Sequence, residues 1–323
     1  MLSRLHSRAF AIFAGAAAIL VIGGERTLHA QEAVTIQPVH VTGEEVPSSY
    51  GATPGFSRSR FSNLTQAYVL PPGAVFAGLI YQGDALRFNR PDHMLTQEIE
   101  IGLPCRFGIA FENSIESFRG HTQERTFSIE GRYALADWNK IPLNPTFFVE
   151  YKFGVGDILH DEGPPEPLPK GEAEEFLREH EPLPDAVEVR LLLAQDFGNN
   201  VEWALNAFFE QEVGGDRGRE IGFAQSLMVP VILPNERLKV GAEMQFTSFT
   251  DAGIREAGED PSYRCVIGPT VAWKPSRNTR LDVSTLFGVT DDSPRASVFV
   301  VFSMLFGGSE PSQAEAPAST RNR

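Results

Sequence analysis

Between residues 95 and 118 the chain reads "LTQEIEIGLPCRFGIAFENSIESF", with carboxylates and apolar side chains on alternate positions. Glu98, Glu100, Glu112 and Glu116 share one parity with Arg106, while Ile99, Ile101, Phe107, Ile109, Phe111 and Ile115 share the other. Successive side chains of a strand point to opposite faces, so the pattern predicts two strands with one charged face and one apolar face. The same alternation returns in "TFSIEGRYAL", "TFFVEYKFGVG", "VEVRLLLAQDF", "VEWALNAFFE", "EIGFAQSLMV", "LKVGAEMQF", "YRCVIGPTVAW" and "RLDVSTLFGV". With "GAVFAGLIYQGDALRF" before them and "ASVFVVFSMLF" after, twelve strands are expected. Helical spacing occurs only in "GEAEEFLREH", residues 171–180.

Short connections such as "LPC", "GNN" and "KPSRN" alternate with longer ones, including the stretch from Ile158 to Pro184. An even strand number, with short turns on one rim and long loops on the other, predicts an all-β fold: a closed antiparallel transmembrane barrel over 73–306. A water-soluble barrel also alternates, but with an apolar cavity, and it closes with about eight strands. Trp138, Trp203, Trp273 and Phe306 all fall at the expected short-turn end, where a membrane interface collects aromatics. A carboxylate facing lipid at mid-membrane is costly, so the charged face has to be the lumen. The expected lining comprises Glu98, Glu100, Arg106, Glu112, Glu130, Arg132, Glu150, Lys152, Glu188, Arg190, Glu202 and Glu243, with Glu124 on the same parity. Acids outnumber bases there, which favours cations.

The ends of the chain set the context. Arg4 and Arg8 precede the apolar run "AFAIFAGAAAILVIGG", and small residues end near Ala30, so 1–30 reads as a cleaved export signal. Its removal leaves 293 residues (323 − 30) and takes the net charge from −14 to −16, through loss of Arg4, Arg8, Arg26 and Glu25. So acidic a chain is a poor partner for nucleic acid. Residues 307–323 are small, polar and proline-bearing and are expected to be a disordered tail. Residues 31–72 are a periplasmic segment or a small plug. "SSYGATPGFSRSRFSNL" carries Tyr50, Phe56, Arg58, Arg60 and Phe61, more aromatics than a linker keeps. The strands that must close the barrel, "AVFAGLIY" and "VFVVFSML", are apolar on both faces. Tyr50 to Phe61 is therefore expected to cover that seam from inside, with Arg58 and Arg60 against lumenal acids.

On these residues the chain is similar to Gram-negative outer-membrane β-barrels of the transporter or porin kind. "SVFVVFSMLF", ending in Phe306, resembles the C-terminal signal read by barrel assembly machinery, although a tail follows it here. "QEIEIGLPCRFGIAFEN" resembles in style the barrel family of phenol-degradation (meta-cleavage) gene clusters and, more distantly, hydrophobic-compound transporters. "VTIQPVHVTGEEVP" resembles the start of TonB-dependent receptors, whose plug and roughly 22-stranded barrel do not fit this length. The resemblance implies passive transport of small solutes, hydrophobic or cationic, across the outer membrane. It implies outer-membrane lipid, lipopolysaccharide and the assembly machinery as partners, and no cofactor.

Two other classes compete, an enzyme at the outer rim and a structural or adhesive barrel. A lipase of this architecture needs a histidine made basic beside a serine and oriented by an asparagine. No such grouping is readable around His93, His121, His160 or His180, and His40 precedes the barrel. "HDEG" at 160–163 is the one proteolytic candidate. The acidic stretch from Asp157 to Asp185, with His160 and His180, has ligands for a divalent cation but reads more simply as a solvated loop. Cys105 and Cys265 fall at opposite ends of the barrel, Cys265 on the lipid face, and are expected to be free thiols.

Overall fold

Each alternating run becomes a strand, and the strands close on themselves. A computed structural model describes residues 49–52, 68–85, 91–118, 121–158, 182–197, 201–215, 217–231, 237–258, 260–276 and 278–308. In chain order they form β1 (Ala74–Ala85), β2 (Asp92–Leu103), β3 (Phe107–Phe118), β4 (His121–Ala134), β5 (Thr146–Gly154) and β6 (Ala186–Phe197). There follow β7 (Val201–Glu212), β8 (Arg219–Pro230), β9 (Leu238–Thr250), β10 (Ser262–Trp273), β11 (Thr279–Gly288) and β12 (Ala296–Gly307). All neighbours are antiparallel, and β1 pairs with β12 from Ala74↔Gly307 to Ala85↔Ala296, so no edge is left open.

Burial follows the parity. On β2 Thr96, Glu98 and Glu100 are buried while Ile99 is half exposed. On β5 Phe148 and Glu150 are buried while Phe147 and Val149 stand out. The outer wall is apolar and the inner wall carries the charges.

The chain enters at Ala74 and leaves at Gly307 on one rim, here the terminal rim; the opposite one is the loop rim. Connections at the terminal rim run over 104–106, 135–145, 198–200, 231–237 and 274–278. Those at the loop rim run over 86–91, 119–120, 155–185, 213–218, 251–261 and 289–295. The longest connection is at the loop rim, as expected. The division is not clean, because 119–120 is the tightest link and 135–145 is long. The 251–261 connection holds a six-residue helix, α1 (Ala252–Ala257), unmarked by helical spacing; Asp251 Oδ1 caps it by accepting from Ile254 N–H at 2.7 Å.

Two local features break the alternation. Between β3 and β4 the register slips, Ser114 pairing Thr126 while Ile115 pairs Glu124. This bulge places Glu124 opposite an outward residue, where it is exposed, and delivers Arg125 to the interior. In the 104–106 turn Cys105 and Arg106 both adopt left-handed backbone (φ 61° and 65°), so Arg106 sits in the turn and strand parity does not govern it.

Residues 68–73 reach β1 by crossing over the end of β2. Gly73 N–H donates to Gly102 O at 2.8 Å, and a Cβ on Gly102 would lie 2.1 Å from Pro71 O. Backbone against backbone cannot yield there, so Gly102→Ala is expected to cost about 1–3 kcal/mol of stability by overpacking. Chemical denaturation of the refolded barrel measures this, and an unchanged midpoint would place the crossing elsewhere.

Candidate functional site

The lumen is built in three tiers, and the registers show how. Across five strands the pairs Glu130↔Glu150, Glu150↔Glu188, Glu188↔Glu210 and Glu210↔Glu220 stack end to end. Five glutamates therefore form one inward-facing row. Like charges opposite one another destabilise a sheet, so such a row needs cations from neighbouring rows.

It finds them above and below. On the terminal side lies the row Arg132↔Phe148↔Arg190↔Phe208. Arg132 donates to Glu130 at 2.6 Å and to Glu100 at 3.0 Å, and its side chain is fully buried. Arg190 donates to Glu188 at 2.5 Å and approaches Glu150 at 3.4 Å. Phe148 lies between the two arginines in the row, its ring centroid 5.6 Å from Arg132 Cζ and 4.4 Å from Arg190 Cζ. On the loop side Lys152 reaches Glu188 at 2.7 Å and also contacts Glu210. Arg125, brought in by the bulge, pairs with Glu116 at 2.7 Å. Nearer the terminal rim Lys239 pairs with Glu202 at 2.5 Å, Arg280 with Asp282 at 2.7 Å, and Ser284 donates to Glu243 at 3.3 Å.

Glu98, Glu112 and Glu130 bring carboxylate oxygens within 4.8 Å of one another on adjacent strands. Arg132, beside them, is already bound to Glu100 and Glu130.

Beneath the charged tier apolar packing fills part of the terminal mouth. Tyr68 and Val69 pack with Ala52 and Trp138 against Ala134, Ala194, Ala204 and Ala224, the small inward residues of β4, β6, β7 and β8. Tyr68 and Trp138 meet edge to face at 5.1 Å, Tyr68 Oη donates to Ala136 O at 2.7 Å, and Trp138 N–H donates to Tyr50 O at 3.0 Å. Asn144 fixes the loop carrying Trp138, donating to Ala194 O at 2.9 Å. Leu70 packs with Ala74, Phe76 and Leu305 over the foot of the seam.

Above the charged tier a cavity of about 450 Å³ opens towards the loop rim. Its lining includes Asp84, Asp92, Glu112, Glu116, Glu150, Glu210, Glu212 and Glu220, against Arg125, Lys152, Arg190 and Arg264.

Several expected positions move. Arg106 does not line the lumen: from its turn it donates to Ala134 O at 3.1 Å and pairs with Asp137 at 3.1 Å at the rim. Trp138 is not an interface aromatic, since it is 6 % exposed and turned into the terminal cap. Trp203, Trp273 and Phe306 lie on outward positions near the terminal rim. Tyr50 lies at the rim itself, its hydroxyl accepting from Arg106 N–H at 2.9 Å, so it does not cover the seam. Phe56, Arg58, Arg60 and Phe61 fall outside the described residues, as do the export signal, His160, His180, 159–181 and the tail beyond 308. Both cysteines are free. Cys265 is not on the open outer wall: the 289–295 loop covers it, its N–H donating to Ser293 Oγ at 2.8 Å. His93 is engaged with Tyr81 Oη at 2.9 Å on the outer face. The tyrosine and tryptophan cap, the glutamate row and the arginine–phenylalanine row escaped the sequence reading. Counting residues from strand to strand gives parity but not which residues stand side by side.

No protein-family model matches the chain, and no curated protein does. Among solved structures it is similar to an outer membrane channel from Pseudomonas putida F1, with 11 % identity, 74 % of this chain and 98 % of that one covered, and a TM-score of 0.47. The beta domain of a Bordetella autotransporter is similar at 10 % identity over 73 % of this chain and all of that one, TM-score 0.44. Acinetobacter baumannii outer membrane protein Omp33 is similar at 12 % identity over 72 % and 98 %, TM-score 0.38. Likeness at this level carries no functional weight.

Proposed function

We propose that the chain is an outer-membrane barrel for passive passage of small, cation-favouring solutes, narrowed at its terminal mouth in the conformation described. The observation that carries this reading is the inward row of five glutamates behind an outer wall as apolar as Ile99, Val149 and Ile221, each at least half exposed. An apolar wall of that extent belongs in lipid, and a closed antiparallel sheet satisfies its backbone there. In this reading 1–30 directs export, the terminal rim faces the periplasm, the assembly machinery inserts the barrel, and lipid and lipopolysaccharide surround it.

Rows of charge inside a narrow barrel set selectivity by repelling like-charged solutes and relieving the dehydration of opposite ones. The same rows also brace the barrel wall, and the two roles coexist. We propose no catalytic step: His93 stands opposite Ser117 in the β2–β3 register, but its ring is hydrogen-bonded to Tyr81 Oη, and Ser117 Oγ accepts from Thr122 Oγ1. Planar-bilayer recording of the refolded chain tests the reading. Brief openings that carry current are expected. Silence at every salt concentration, joined to lipid or peptide hydrolysis that His121→Ala abolishes, would replace it with an enzyme.

A further inference from the structure

Most outward mid-strand positions of the wall are apolar and exposed, Leu79, Val149, Leu191 and Phe302 among them. One face departs from this. On β2 and β3 the outward residues Gln97 and Asn113 stand directly opposite each other, each at the middle of its strand, in a row between Leu79 and Phe127. Neither side chain makes a hydrogen bond among the described residues; Gln97 is exposed, and Asn113 Oδ1 is buried without a partner. Gln225, also outward at mid-strand, stands alone and donates to Met244 Sδ at 3.9 Å. The same face carries an open notch. Gly131 on β4 is exposed between Ile109 and Val149, and a Cβ there would meet nothing within 4 Å. Glycine weakens a strand interior, and where one stands another surface often comes close.

From this face we infer that a second copy of the chain packs against β2, β3 and β4, making a two-fold dimer in the membrane. The inference rests on the transmembrane reading above. At mid-wall lipid offers only acyl chains, which neither donate nor accept hydrogen bonds, so an amide there gains a partner only from another protein. An amide both donates and accepts, so a patch of two amides is complementary to itself. A two-fold axis along the membrane normal keeps every residue at its own depth and sets Gln97 and Asn113 of one copy against those of the other. Gly131, lacking a side chain, lets the two walls approach. His93, Ser117, Thr122 and Glu124, outward on the same strands nearer the loop rim, meet headgroups and water and need no such partner.

Cys105 supplies the probe, being exposed in the turn that joins β2 to β3 at the foot of this face, whereas Cys265 is buried. The full chain, refolded into phosphatidylcholine vesicles over a range of protein-to-lipid ratios, is treated with a short membrane-permeant bis-maleimide and its products are separated by mass. A linked dimer is expected, rising to saturation with the ratio and absent from Cys105→Ser. Gln97→Leu with Asn113→Leu should raise the ratio for half-maximal linking about ten-fold, the scale of a few hydrogen bonds within a membrane. Gly131→Phe should raise it too. Both variants should keep the heat-modifiable gel mobility of a folded barrel. A chain that inserts but stays monomeric at every ratio would overturn the inference and keep the transmembrane reading. So would unchanged linking in the folded double variant or in folded Gly131→Phe. A chain that folds but stays outside the vesicles would overturn both. A Cys105 product of another mass, formed only in native outer membranes, would give the face to a different protein and overturn the second copy.

Discussion

Arg132→Met is expected to be the most destabilising single change in the charged tier. Arg132 is fully buried between Glu100 and Glu130, and truncating one member of a buried pair leaves uncompensated charge, at a cost of about 3–5 kcal/mol. The loss should appear as a lower denaturation midpoint of the refolded barrel in detergent. Converting the two acids as well, in Arg132→Met with Glu100→Gln and Glu130→Gln, should recover most of it, because the cost lies in the carboxylate charge that loses Arg132. A single variant as stable as the parent would show that water reaches these groups and that the tier is not dry.

Trp138→Ala combined with Tyr68→Ala should turn brief openings into sustained current. The two rings meet edge to face within the terminal cap, at 5.1 Å, and truncating a buried aromatic typically removes about 3–5 kcal/mol. If only about 1.4 kcal/mol of that favours the closed arrangement over an open one, the open population rises about ten-fold. Single-channel recording reads this directly as open time at fixed voltage. Unchanged open time in a correctly folded variant would remove the cap from any gating role.

The fold was legible because a closed barrel with two unlike environments writes a period of two into every strand. Ile99 beside Glu100, and Val149 beside Glu150, leave a single way to face each side chain. What escaped were the places where the period fails. Two left-handed residues in the turn carry Arg106 off the lumen, and one extra residue at the β4 bulge exchanges Glu124 for Arg125. Trp138 could not be placed from its position near a rim, since only the four small inward alanines show that something must fill the mouth. Those alanines are visible in the sequence, yet their meeting at one level depends on strand stagger. The glutamate row has the same cause: its members are spaced unevenly along the chain and become neighbours only through register.

The central claim, that acids dominate a lumen through which solutes pass, is tested most directly by the reversal potential of the Trp138→Ala, Tyr68→Ala barrel in a potassium chloride gradient. Its cap should no longer limit the current, so the charged tier alone sets the sign. A potential on the potassium side of zero is expected, growing as ionic strength falls and screening weakens, and shrinking when Glu130→Lys is added. A potential on the chloride side of zero, or one insensitive to Glu130→Lys, would contradict the account.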